Sequence, residues 1–202
     1  MKLEIFDIRD FTPESYAEAL SRLPKARQLE INSTARQNAP QLRVAGETLA
    51  RKMLAAEAGM APEDIIIKKE ALGKPYTESL DIHFSISHNG TYAICATHDK
   101  PIGIDIQRAD GVRELVFRRV CSPDEQRYVI SAPTAAAQAE RFTMLWCMKE
   151  SYVKLYGESI LGRGGFACLF EDGEPVTEYE GFSFTFPPAP DGYVIAVCFD
   201  NR

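Results

Sequence analysis

The sequence predicts an α+β protein made as a pseudo-twofold monomer of two similar halves, each a small, largely antiparallel sheet with packed helices. Three observations lead there. Helix-periodic stretches and strand-like stretches follow one another as helices, strands, then helices and strands again. The strand-like runs are short and joined by turn residues, which favours antiparallel pairing. No low-complexity linker or short-period repeat interrupts the 202 residues, so the halves, 1–103 and 104–202, adjoin directly.

Residues 13–23 and 41–58 carry helical patterns, the second closed by Gly59 ahead of Met60-Ala61-Pro62, a sequence suited to a helix C-cap. Ile65-Ile66-Ile67-Lys68 reads as a strand. Apolar and polar residues alternate in Ile82-His83-Phe84-Ser85-Ile86-Ser87. Asn89-Gly90 and Tyr92-Ala93-Ile94-Cys95-Ala96 follow, a hairpin signal that puts His88 at its mouth. In Ile102-Gly103-Ile104-Asp105-Ile106-Gln107 the isoleucines take one face and Gly103, Asp105 and Gln107 the other. Ser122-Pro123-Asp124-Glu125 has the order of a capping box with proline at the first helical position. A longer helix follows at 136–156, then strand-like runs at 166–170, 182–186 and 193–199, the last two joined by Pro187-Pro188-Ala189-Pro190-Asp191-Gly192 as a closing hairpin.

The bulk properties remove several classes of function. Hydrophobic residues make up 45% and charged residues 26%, an ordinary globular composition. No apolar run approaches the ~18 residues of a membrane span, and Glu4 and Asp7 break the first residues, so the expectation is a cytoplasmic protein with no membrane partner. A net charge of −6 argues against general nucleic-acid binding. Through residue 103 there are 13 basic and 14 acidic side chains, and beyond it 10 and 15, so the acidity lies in the second half. Cys95, Cys121, Cys147, Cys168 and Cys198 are odd in number, widely spaced and set in apolar surroundings, as reduced core thiols are.

Taken singly, the polar residues have plain explanations. Glu150 and Lys154 are four apart and suit a solvated helix pair; Asp105 suits a strand end; Trp146 sits among Met144, Leu145 and Met148 as core residues do. Their order along the chain carries more. Gly73-Lys74-Pro75, Phe84-Ser85-Ile86-Ser87-His88, Gly103-Ile104-Asp105-Ile106-Gln107 and Trp146-Cys147-Met148-Lys149-Glu150-Ser151-Tyr152-Val153-Lys154 occur in succession. Through these four the chain resembles the 4′-phosphopantetheinyl transferase superfamily, in its surfactin-synthetase-activating type. The motifs span residues 73–154.

That resemblance implies a holo-[carrier protein] synthase. It would move the 4′-phosphopantetheine arm of coenzyme A, bound in a cleft between the halves, to a serine hydroxyl of an apo acyl or peptidyl carrier protein, with 3′,5′-ADP leaving. The carriers of fatty-acid, polyketide and nonribosomal peptide synthesis tend to be acidic, so docking onto an acidic chain would rest on apolar contacts or local basic patches. A hard, oxygen-liganded ion such as Mg2+ suits the reaction. The resemblance makes Asp105 and Glu150 its ligands, with Gln107, where the family usually carries an acid, a third donor through its amide oxygen or a bound water. Lys74 and His88 match positions that contact coenzyme A phosphates, Arg43 a nucleotide-contacting arginine, and Lys149 and Lys154 charges able to neutralise phosphate oxygens. Glu150, Lys154 or a water would take the serine proton, with Asp105 completing the reacting set. Glu125 matches a family position too, but helix capping explains it. Lys25 and Arg27 read as solvated helix-end groups. The competing class is a catalytically idle coenzyme A or carrier-binding module; a magnesium pyrophosphate hydrolase would need a helical array of glutamates, which is missing.

Overall fold

The computed structural model describes residues 1–33, 39–78, 80–157 and 166–202. They form two compact units, Met1–Pro101 and Ile102–Arg202, each with a small antiparallel sheet and packed helices.

The first unit runs β1 (Lys2–Asp7), α1 (Pro13–Ser21), α2 (Lys25–Asn32), α3 (Ala39–Ala58), the short β2 (Lys68–Lys69) and β3 (Pro75–Tyr76), then β4 (His83–Asn89) and β5 (Tyr92–His98). Its main sheet has the order β1-β5-β4, antiparallel throughout. Asn89 pairs with Tyr92, so the hairpin turns on Gly90-Thr91, with Gly90 at φ 60°. Helix α3 lays Leu49, Met53 and Leu54 onto Phe84 and Cys95 of the sheet, and Ile65 closes the same cluster. The triple isoleucine is therefore not a strand: Ile65 is a core plug and Ile66 is exposed, and only Lys68–Lys69 pairs, with Pro75–Tyr76. The sequence pattern also passed over β1, whose inward and outward residues alternate weakly, and α2, which follows Pro24.

The second unit runs β6 (Ile102–Arg108), α4 (Glu114–Val120), α5 (Pro123–Ile130), α6 (Ala135–Tyr156), β7 (Phe170–Glu171), β8 (Glu174–Pro175), β9 (Glu178–Tyr179), β10 (Phe182–Thr185) and β11 (Tyr193–Asp200). Strand order is β6-β11-β10-β9, again antiparallel. Phe117, Phe142, Leu145, Met148, Leu155 and Phe184 make the core. The capping box at α5 forms as the sequence predicts, with Ser122 Oγ accepting from the Glu125 amide at 3.3 Å and Glu125 Oε2 from the Ser122 amide at 2.6 Å. Thr134 caps α6, and Gly157, in the left-handed region at φ 67°, ends it. No helix among the described residues is long and apolar enough to cross a membrane.

The alternation in β6 has an unexpected outcome. Ile102, Ile104 and Ile106 are fully buried, as an apolar face should be, yet Gly103 and Asp105 on the other face are buried too. That second face is covered by α6, and Gly103 is the reason it can be. A Cβ at this position would fall on the carbonyl oxygen of Ser151 and the amide nitrogen of Leu155, so strand and helix backbones touch. We expect Gly103→Ala to cost about 3 kcal/mol or more by urea unfolding, because backbone atoms have no rotamer to escape into. Gly46→Ala should cost less, since its Cβ would meet only the Ile86 side chain, at 2.7 Å, and alanine favours the helix by ~1 kcal/mol.

Candidate active site

Two residues beyond Gly103 on the same strand face, Asp105 points at α6 and is 1% exposed. A carboxylate withdrawn from water needs charged or hydrogen-bonding partners, and both oxygens have one. Lys154 Nζ donates to Oδ1 at 2.6 Å, and Gln107 Nε2 to Oδ2 at 3.0 Å. Lys154 comes from the last turn of α6, one turn past Glu150, so helix spacing brings both toward the aspartate.

Glu150 is half-buried. Burial, and then the negative charge of Asp105, push its carboxyl above the usual range, while Lys154 and Arg113 pull it back. A carboxyl pushed up by burial and by a neighbouring carboxylate, beside an amide, belongs to a hard-oxygen donor set that a divalent cation would suit. Cys147 also faces this point, but its buried thiol, 3.4 Å from the Val194 carbonyl, is pushed well above its ordinary value by burial and by Asp105, so it offers no thiolate. Gln107 stands where a third carboxylate would complete an acidic cluster, and no group of three His, Cys, Asp or Glu able to hold a metal is found among the described residues. Asp105, Glu150 and Gln107 are the residues that could hold a magnesium ion here.

Arg113, between β6 and α4, completes the surroundings: its guanidinium carbon lies 5.5 Å over the Trp146 ring, and its charge reaches Glu150. Sequence reasoning missed it, as it stands in an aperiodic stretch with no motif. Trp146 packs at 6.5 Å on Phe142 as a core residue would.

Lys149 takes a different direction from Lys154. Its side chain is 3% exposed and points into the interior, with Nζ 2.8 Å from Glu125 Oε1 and donating to the Phe166 carbonyl. The ammonium is thus engaged by Glu125 and the Phe166 carbonyl and faces away from Asp105. Neighbours on a helix diverge by about 100°, and Lys149 and Glu150 leave α6 in different directions.

The remaining candidates belong to the first unit. Lys74 is half-buried at the loop joining β2 and β3, and burial pulls its ammonium below the usual lysine value. His88 is exposed near the end of β4, and Arg43 is half-buried on α3. Arg27 is more than a solvated end group, since its Nε donates to Glu47 at 2.6 Å in a network continued by Arg51.

Comparison with known proteins identifies the family. A family model described as the 4′-phosphopantetheinyl transferase superfamily matches residues 101–198, and one described as the N-terminal part of 4′-phosphopantetheinyl transferase matches 10–100. A 4′-phosphopantetheinyl transferase of Bacillus subtilis is 34% identical over 160 residues, 76% of this chain and 71% of that protein. The 4′-phosphopantetheinyl transferase Sfp of Bacillus subtilis strain 168 is 32% identical over 161 residues, with the same coverage. The 4′-phosphopantetheinyl transferase psf-1 of Bacillus pumilus is 36% identical, over 64% of this chain and 56% of that protein, so the match spans little more than half of that relative. The chain belongs to the 4′-phosphopantetheinyl transferase superfamily, with the Sfp-like Bacillus enzymes as relatives.

Proposed function

We propose that the chain transfers 4′-phosphopantetheine from coenzyme A to a serine of an apo acyl or peptidyl carrier protein, releasing 3′,5′-ADP. The observation that carries this reading is the convergence of Asp105 from β6 with Glu150 and Lys154 from α6. In the reaction the serine oxygen forms a bond to the phosphorus next to the pantetheine arm, the bridging P–O bond breaks, and the serine proton passes to a base. A magnesium ion held by Asp105, Glu150 and the Gln107 amide would neutralise charge gathering on the phosphate oxygens.

The side chains do the rest. Glu150, Lys154 or a bound water would take the serine proton, both side chains lying beside Asp105. Lys154 supplies a positive point charge that an entering phosphate would share with Asp105. Arg43, Lys74 and His88 are assigned to the phosphates and nucleotide of coenzyme A. The five thiols are free and buried, which supports a reducing, cytoplasmic setting, and we read the enzyme as a monomer.

The deciding experiment incubates the protein with coenzyme A, Mg2+ and several apo carriers, then weighs the carriers by mass spectrometry. A carrier heavier by one phosphopantetheine is expected; coenzyme A binding with no mass gain on any carrier would instead identify an idle binding module. Asp105→Asn and Glu150→Gln should each lower the transfer rate by roughly 10²-fold or more. His88→Ala and Lys74→Ala should raise the KM for coenzyme A with a smaller effect on kcat. Gln107→Glu should lower the Mg2+ concentration giving half-maximal rate, and an unchanged value would place the amide away from the ion.

Glu150 also predicts a stability effect. Because its folded pKa is raised, the folded state holds the proton more tightly than the unfolded chain; the contribution is most favourable below 4.5 and is lost as pH rises through the raised value. Without metal, Glu150→Gln should therefore melt at a higher temperature than the parent at neutral pH, the gap closing as pH falls through the raised value toward 4.5. Thermal melts across that range measure it.

A further inference from the structure

Lys149 and Glu125 form the most deeply buried ion pair among the described residues, at 3% and 0% exposure, and no step of the transfer uses them. Isolated burial of either charge would be costly, and even a good buried pair is seldom more stable than apolar residues of the same volume. What such a pair supplies is direction. Glu125 Oε1 accepts from Lys149 Nζ at 2.8 Å and from the Cys168 amide at 2.7 Å, while Oε2 accepts from the Ser122 amide at 2.6 Å. Lys149 also donates to the Phe166 carbonyl and lies 5.7 Å from the centre of that ring. One pair thus ties the start of α5, the middle of α6 and the chain at 166–168 together.

We propose that Glu125 and Lys149 are positioning residues for the metal-binding face of α6, and not part of the coenzyme A phosphate site. The inference rests on the reading of Asp105, Gln107 and Glu150 as magnesium ligands. Locking Lys149 inward fixes the rotation of α6 about its axis, and Glu150, the next residue, is thereby aimed at its own flank; one turn on, Lys154 reaches Asp105. Leu145, Met148 and Leu155, packed in the core before and after Lys149, hold the helix by non-directional contact, whereas the ion pair admits one rotational setting.

Binding of Mn2+ in the presence of coenzyme A, followed by electron paramagnetic resonance well below the melting temperature, tests this together with coenzyme A affinity in the absence of metal. Lys149→Met, Glu125→Gln and the double variant should each bind Mn2+ about tenfold or more weakly, as loss of groups that orient metal ligands does. All three should keep coenzyme A affinity within about twofold. The double variant should be no worse than the worse single one, since the two act as a unit. Weaker coenzyme A binding by Lys149→Met alone would overturn the proposal in favour of a phosphate contact. Lower melting temperatures with unchanged Mn2+ affinity would overturn it in favour of simple stabilisation. Should Lys149→Met fail to fold, Glu125→Gln, which keeps an acceptor for the helix cap, decides the matter on the same two measurements. A parent protein that takes up no Mn2+ at all would remove the magnesium reading, and this inference with it.

Discussion

The contact between β6 and α6 at Gly103 governs the site. Because a glycine lets the strand and helix backbones touch, the next residue on that strand face has no water around it and meets the helix directly. An apolar residue there would simply join a core. An aspartate instead demands partners, and α6 provides Lys154 at the distance of a strong charge-assisted hydrogen bond, while Glu150 stands near enough for the charge of Asp105 to push its carboxyl up. The chemistry of the site, paired acids in low dielectric with one lysine between them and neutrality, follows from that approach.

The outline of this arrangement was legible in the sequence, and its failures are instructive. Alternation in residues 102–107 assigned Asp105 and Gln107 to one face, which is correct, and the capping signal placed α5. Alternation alone could not tell whether the polar face met water or a helix; only the lack of a side chain at Gly103 hinted at it. The triple isoleucine misled for a similar reason: a run of β-branched residues satisfies a strand pattern, but Ile65 is buried by α3 and, among the described residues, no neighbouring strand offers Ile66 and Ile67 a ladder. Among the site candidates, Lys149 and Glu150 are adjacent in one motif, yet adjacent helical residues diverge by about 100° and face different surroundings. Glu125, read as a cap, is a cap and also the counterion that keeps Lys149 inside, a long-range partnership between α5 and α6 that no local pattern encodes.

Buried ion pairs recur as fasteners in both units. In the first, Glu47 on α3 receives Arg27 from α2 at 2.6 Å and Arg51 at 3.2 Å, and Arg51 also donates to the Ile65 carbonyl, so one carboxylate fixes α2 and the segment after α3 to the same helix. In the second, Glu125 does the same for α6 and the chain at 166–168. Each acid is fully or nearly fully removed from solvent and has several donors, the condition under which a buried charge is tolerable. Small sheets of three and four strands leave helices few geometric constraints of their own, and directional pairs fix what apolar packing leaves free.

Gln107 shows how finely the charge at such a site is set. With Asp105 and Glu150 ionised and Lys154 protonated, the group carries a net charge of −1, and a glutamate at 107 would make it −2. More charge would strengthen the attraction for a divalent cation and would also raise further the cost of ionising Glu150, whose carboxyl already sits high through burial and Asp105. The amide avoids that cost while its Nε2–H orients Asp105 from the side opposite Lys154. A carboxylate at 107 could not donate that hydrogen bond unless protonated, and would set two negative oxygens against each other in a nearly dry pocket. The amide at 107 therefore holds Asp105 by a hydrogen bond that an ionised acid could not give.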